Sequence, residues 1–297
     1  MDYRKLLNKD IPQAKALWKQ AFGDSDGYID FNFKYNLTLE NSFGIYNEYK
    51  LVCMLFMLPK ILINGDKKMS TYFIVGVSTD NEYRKKGYAR DIMAYAKDYL
   101  NKNNVPLVFL YPFNHEFYKK LDYHTISHMR KIEFDKKTNN DNSKYKFSKY
   151  SKDNKPDISI LLGLYNEYAK TKESYFLRTK EDYEVKLETM QVDGGEVLII
   201  TKNNKPVGYV LYFIEEDKFN CLESIFLSKN AAEKTLEKIS EQYAGYIYLD
   251  KSFDVRGSKK EEYVMMQIID GNSAGAFYGV NNLDELLNIE VMILEQY

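Results

Sequence analysis

The stretch Val75-Gly-Val-Ser-Thr-Asp-Asn-Glu-Tyr-Arg84-Lys85-Lys86-Gly87-Tyr88-Ala89-Arg90 carries the reading of this chain. An apolar run ends at Thr79, a basic turn with one glycine follows, and Ile92, Met93, Ala96 and Leu100 then recur at helical spacing. The pattern predicts a strand, a turn and a helix. The first N–H groups of such a helix have no intrahelical acceptors and stand at the positive end of its dipole, which makes the turn an anion site. Gly87 lets the backbone approach a phosphate, Ala89 leaves the first turn unobstructed, and Arg84, Lys85 and Lys86 add charge suited to a pyrophosphate. Charge alone would describe a solvated turn, and its place between strand and helix is what makes it a site.

Upstream, residues 6–22 read as a helix with Asp10 as its N-cap and Gly23 as its stop, followed by a second, aromatic helix carrying Tyr28, Phe31, Phe33 and Tyr35. From 43 the period changes to that of strands: 43–46, 51–58, 61–63 and 72–79 form a meander with turns at Asn47-Glu48 and Asn64-Gly65. Downstream, 105–111 is a short apolar strand, 114–121 a short helix and 124–134 a closing strand. The class is α/β of the α+β type, a mixed sheet with helices rather than a doubly wound one.

Residues 136–144 are polar with no apolar anchor and mark a linker, after which the order partly repeats. Helices at 158–169 and 180–190, a hairpin at 197–201 and 207–213, then a strand at 222–227 running into a helix at 230–243 suggest a duplicated fold. Between Leu227 and that helix the chain reads Ser228-Lys-Asn-Ala-Ala-Glu-Lys, with neither glycine nor arginine, so the second copy lacks the anion loop. The expected division is 1–135, a linker at 136–146, a degenerate second unit at 147–250 and a short strand and helix extension at 251–297.

The 297 residues carry 42 Lys+Arg against 43 Asp+Glu, with no basic excess of the kind that drives binding to nucleic acid. The N-terminus is polar from the start and no apolar run approaches the roughly 18–20 residues of a membrane span, so neither a leader nor a membrane partner is expected. Cys53 and Cys221 sit in apolar runs without metal-type spacing and read as buried thiols of a cytoplasmic protein. His115, His124 and His128 offer no paired-ligand spacing, and no metal is expected. Exposed apolar surface near 291–294 would favour a homo-oligomer.

The run Val77-x-Thr79-x-x-Glu82-Tyr83-Arg84-x-x-Gly87-x-Ala89 resembles the acetyl-CoA motif of GNAT acetyltransferases, with Asn81 where a proline often stands. Leu110-Tyr-Pro-Phe113-Asn114-His-Glu-Phe117-Tyr118-Lys-Lys-Leu121-Asp122-Tyr123 resembles a second element of that family, with Asp122 in place of a glycine. The resemblance implies acetyl-CoA as co-substrate, held by Val77, Ser78, Thr79, Arg84, Lys85, Lys86, Gly87, Tyr88, Ala89 and Asn114. It implies Tyr118 as the acid that protonates the departing thiolate.

The whole chain is similar to the Eis-like (enhanced intracellular survival) tandem-GNAT acetyltransferases. The likeness lies in the tandem order, in Leu177-Arg178, Gly208-Tyr209 and Leu222-Glu223-Ser, and in Tyr263-Val-Met-Met-Gln-Ile-Ile-Asp270, which resembles the opening of that family's sterol-carrier-like C-terminal domain. It implies two tandem GNAT-like mixed sheets flanked by helices, 251–297 as a remnant of the third domain, and the Tyr297 carboxylate as base.

The expected reaction is transfer of acetyl to a primary amine of a small molecule, an aminoglycoside, polyamine or lysine-like compound. Asp26 and Phe113 are candidate substrate contacts, Asp24 is an alternative to Asp26, and Glu116 or a held water is an alternative base. Cys53 lacks a basic neighbour and makes a poor acyl-carrying nucleophile. Two rival classes stand beside this reading: a non-catalytic acetyl-CoA-binding or regulatory module, and a tandem-GNAT aminoacyl transferase.

Overall fold

The computed structural model describes residues 1–137 and 144–295. Two mixed sheets form its frame. The first runs in the order Asp2–Lys5, Ser42–Asn47, Lys50–Asn64, Lys67–Thr79, Leu107–Leu110, Met265–Ile268, Tyr123–Thr125. Its central neighbours Lys67–Thr79 and Leu107–Leu110 are parallel, paired from Tyr72 opposite Val108 to Ile74 opposite Leu110. The second runs Lys259–Glu262, His128–Phe134, Ala244–Asp250, Lys218–Phe226, Lys205–Glu215, Glu196–Lys202, Tyr145–Tyr150, with one parallel pair, between Lys218–Phe226 and Ala244–Asp250.

The two halves exchange strands. Residues 124–134, expected as one closing strand of the first sheet, split in two. Tyr123–Thr125 stays at the edge of the first sheet, and His128–Phe134 crosses to pair with Ala244–Asp250 in the second. In return Met265–Ile268 inserts between Leu107–Leu110 and Tyr123–Thr125. The crossing point is stitched by Ile126 N–H to Val264 O (3.1 Å) and Tyr263 N–H to Ser127 O (2.9 Å). The strands of residues 251–297, expected as a short extension, complete both sheets, and Val264, Met265 and Met266 are almost fully buried. A strand covered on both faces is apolar at successive positions, so its pattern says that it is buried but not in which sheet.

Each unit places two helices on one face of its sheet and one on the other. In the first, Ile11–Phe22 and Asp26–Tyr35 cover one face through Leu17, Trp18 and Ile29, while Tyr88–Lys102 covers the other through Ile92, Met93, Ala96 and Leu100. In the second, Ile158–Ala169 and Lys180–Val192 face Val197, Ile199, Tyr209 and Leu211, and Lys229–Ser240 covers the far side. Helices Asp26–Tyr35 and Lys180–Val192, which hold corresponding places, pack against each other, and one apolar core runs from the first sheet into the second. Val291, Met292, Ile293 and Leu294 belong to that core, so the exposed surface expected there is absent. Asp10, expected to cap the first helix, is buried, pairs with Arg4 at 2.7 Å and makes no side-chain cap.

Candidate active site

Beyond Ile74 and Leu110 the parallel strands part, and Lys67–Thr79 runs on to Thr79 without that neighbour. Within this extension Met54 faces Ser78 and Phe56 faces Val75, so Gly76 and Val77 together oppose the single residue Leu55. This is a β-bulge, with Gly76 in the left-handed region at φ 64°. It turns the backbone of Val77, Ser78 and Thr79 toward the opening between the strands.

The turn that follows is fixed by its own polar groups. Asp80 accepts the Glu82 N–H at 3.0 Å, Lys50 bridges Asp80 (3.1 Å) and Glu82 (3.0 Å), and Arg84 Nε donates to Thr79 O at 3.2 Å. Lys85 (φ 61°) and Gly87 (φ 93°) are left-handed, which bends the chain into helix Tyr88–Lys102. Gly87 stands at the N-cap with no side chain to cap the first N–H groups. The corresponding helix of the second unit, Lys229–Ser240, differs: Ser228 Oγ accepts the Ala231 N–H at 3.2 Å and satisfies its own terminus. The first unit's helix therefore begins without a side-chain cap, and that of the second is capped by a serine.

A cavity of about 700 Å³ spans the opening and the turn. It brings together Val77, Ser78, Thr79, Arg84, Lys85, Gly87, Tyr88, Ala89 and Phe113, all expected at the site from sequence. Ala21 and Phe22 from the first helix, with Tyr83, Arg90 and Phe117, complete its wall and were missed. The only signal for Ala21 and Phe22 was their place at the end of an amphipathic helix, whereas Tyr83, Arg90 and Phe117 lie inside the quoted stretches without having been assigned.

The remaining expected residues fall elsewhere. Lys86 lies over the Tyr83 ring at 4.9 Å and is off the cavity wall, as is Asn114, whose side chain accepts the Phe117 N–H at 3.0 Å and caps helix His115–Lys119. Asp26 is exposed and paired with Lys19 at 2.5 Å, and Asp24 accepts the Trp18 Nε1–H at 2.7 Å. Glu116 pairs with Lys119 at 3.0 Å on the surface. Tyr297 lies outside the described residues.

Tyr118 does not line this cavity: it is buried between helix His115–Lys119 and the sheet, its ring 5.9 Å from that of Phe113 on the cavity wall and 5.7 Å from Tyr123. Burial pushes its phenol pKa up, so it stays protonated at neutral pH. Burial likewise pushes the Cys53 thiol up to about 11, which keeps it an uncharged neighbour of Thr79 rather than a nucleophile. His115 Nε2 is 3.9 Å from Glu262, on the side of the helix away from the cavity wall, and burial lowers its pKa. No group of three or more metal-ligating side chains is gathered among the described residues.

Residues 2–126 match the family model described as acetyltransferase (GNAT) domain. The first unit is a GNAT acetyltransferase domain. The match ends at Ile126, where the chain leaves the first sheet for the second, so the family unit and the point of strand exchange coincide. Acyl transfer is the general chemistry of this GNAT domain. Solved structures match nearly the whole chain. A GCN5-related N-acetyltransferase from Anabaena variabilis has a TM-score of 0.69 at 20% identity, over 92% of this chain and 74% of that one. Eis1 from Mycobacterium abscessus has 0.65 at 11%, over 93% and 76%. An N-myristoyltransferase from Saccharomyces cerevisiae, solved with myristoyl-CoA, has 0.55 at 10%, over 90% and 78%. At these identities the likeness is one of fold: the tandem arrangement of two GNAT-like sheets is shared. No curated protein matches the sequence.

No helix among the described residues is long and apolar enough to cross a membrane.

Proposed function

We propose that this chain transfers acetyl from acetyl-CoA to a primary amine of a small molecule. The observation that carries the reading is the single cavity that joins an uncapped helix N-terminus at Gly87, the basic turn at Arg84 and Lys85, and the parted strands at Val77. The N–H groups of Tyr88 and Ala89 and the Arg84 and Lys85 charges suit a pyrophosphate, and the freed backbone of Val77 to Thr79 suits the thioester arm.

In this reading the amine nitrogen forms a bond to the acetyl carbon while the carbon–sulfur bond breaks. Backbone N–H groups near Val77 polarise the carbonyl, and Tyr118 gives its phenolic proton to the departing thiolate. An alkylammonium of pKa about 10.4 is neutral in only about one molecule in 2,500 at pH 7, so a base must take its proton first. The Tyr297 carboxylate, which the family resemblance implies, is the candidate for that role. Asp26, held by Lys19, is set aside as a substrate contact in favour of Phe113 on the cavity rim. The buried free thiols Cys53 and Cys221 fit a reducing, cytoplasmic setting.

The test is CoA release from acetyl-CoA against polyamines, aminoglycosides and lysine derivatives, with wild type, Tyr118→Phe and a chain trimmed of its last two residues. Amine-dependent release that falls on the order of 100-fold in Tyr118→Phe, with acetyl-CoA affinity unchanged, supports the assignment. Acetyl-CoA binding without acetylation of any amine would leave a binding module instead.

A further inference from the structure

A second cavity, of about 330 Å³, lies between helices Asp26–Tyr35 and Lys180–Val192, where the two units meet. Its floor is Leu58, Pro59 and Lys60 of the strand Lys50–Asn64. Pro59 pairs with Tyr72, five residues before Val77, which sets this cavity roughly 16 Å along the sheet from the acetyl-CoA opening at about 3.3 Å per residue. The aromatic cluster Trp18, Phe33 and Phe56 packs between the two levels.

The deep wall of this cavity is ionic. Arg178 forms a two-point pair with Glu223 (2.8 and 2.9 Å) and donates to Glu295 (3.2 Å). Tyr209 donates to Glu223 at 2.5 Å, and Lys60 Nζ lies 3.8 Å from Glu295. Lys186 reaches the same group from the neighbouring helix and donates one hydrogen bond, to Glu223 Oε2 at 2.5 Å. An ammonium has three donors, so the other N–H groups of Lys186 are left for the cavity it lines. Glu181 and Asp182, both exposed, also line the cavity, as do Tyr28, Tyr35 and Phe213. The buried group holds three cations, Lys60, Arg178 and Lys186, against two carboxylates, Glu223 and Glu295, and so keeps one positive charge in excess.

We propose that this cavity is a binding site for a small zwitterion of the amino-acid kind, its carboxylate on Lys186 and its ammonium toward Glu181 and Asp182. A polycation fits poorly, because its inner end would add charge to a group whose three cations, Lys60, Arg178 and Lys186, already outnumber Glu223 and Glu295. The molecule bound is either the acetyl acceptor itself or a separate effector, and both share this chemistry.

Calorimetric titration of the full chain with free lysine and glutamate, with their carboxamides, and with spermidine tests it. The free acids should bind at least roughly tenfold more tightly than the carboxamides, and Lys186→Met should abolish that difference. Lys60→Gln, which leaves the Arg178–Glu223 pair intact, should weaken the acids in the same direction and serves if Lys186→Met does not fold. Mass analysis with acetyl-CoA present separates the two sources: an acetylated ligand is an acceptor, and a bound but unmodified one is an effector. Failure of all acetylation with binding intact would sink the proposed activity and leave this site standing. Equal binding of acids and carboxamides, preference for spermidine, no binding at all, or binding seen only after residues 296–297 are removed would each overturn the site.

Discussion

Gly76 lies against the indole of Trp18 so closely that a Cβ at Gly76 would stand 2.5 Å from Trp18 Cζ3 and 3.0 Å from Phe56 Cδ2. The same glycine is left-handed and forms the bulge that opens the sheet at Val77. The helix Ile11–Phe22 is therefore seated on the bulge that shapes the acetyl-CoA opening, and packing and site geometry share one residue.

Gly76→Ala should accordingly lose both. The left-handed backbone costs an alanine roughly 1–2 kcal/mol and the overpacking roughly 1–3 kcal/mol more. A destabilisation of about 2–5 kcal/mol in urea unfolding, together with weaker acetyl-CoA binding, is expected. Wild-type stability in this variant would show that the indole moves aside and that the bulge is not fixed by it.

Gly87 isolates the backbone effect from packing. A Cβ there would meet only the flexible Arg90 side chain at 3.3 Å, so the obstacle to Gly87→Ala is its φ of 93°. Forcing an L-residue into that turn, or letting the turn relax, misdirects the N–H groups that we propose face the pyrophosphate. Acetyl-CoA affinity should fall about tenfold with the melting temperature little changed, read by calorimetry and thermal melts. Unaltered affinity would remove Gly87 from the phosphate site.

The buried ion cluster predicts an acid limit to stability. Burial alone would raise the Glu223 carboxyl, but the Arg178 guanidinium and the Lys186 ammonium outweigh it and lower the pKa from 4.5 to about 2. A carboxyl depressed on folding stabilises the protein above its unfolded pKa of 4.5 and loses that contribution as the pH falls toward about 2. On the order of 3 kcal/mol should disappear across that window, visible as a falling urea midpoint. In Arg178→Met the loss is already present at pH 7, about 3–5 kcal/mol, because Glu223 and Glu295 remain buried without their principal partner. A midpoint independent of pH from 5 to about 2 would show that the cluster is not ionised as drawn.

The parts legible in the sequence are those whose meaning is local. Strand end, turn and helix start are contiguous at Arg84 to Ala89, which made that turn readable, and the absence of glycine and arginine at 228–234 set the second copy apart for the same reason. The stretches around Arg178, Tyr209 and Glu223 stood out singly, yet nothing in the chain announces that they meet, since Arg178 and Tyr209 both come to Glu223 from distant points of the chain and Glu295 joins only through Arg178. The strand exchange was hidden for a sharper reason. Residues 123–134 keep an unbroken run of strand formers without glycine or proline at Ile126-Ser127, where the chain changes sheets. Edge strands such as Lys259–Glu262, built of charged residues only, carry no period at all.

That exchange makes the halves interdependent. A fragment of residues 1–135 would hold the whole acetyl-CoA loop, yet it lacks Met265–Ile268, leaving Leu107–Leu110 and Tyr123–Thr125 with a gap of one strand between them. It would also leave His128–Phe134 with both sheet edges bare, since its partners Ala244–Asp250 and Lys259–Glu262 belong to the missing half. Unpaired apolar strands of this kind seek partners in other chains. The fragment should aggregate or associate on size exclusion and bind acetyl-CoA poorly, whereas co-expression with residues 144–297 should restore a one-to-one complex that binds it. A monomeric, acetyl-CoA-binding fragment would mean that the first sheet closes without its borrowed strand, and that the exchange joins two units already able to fold alone.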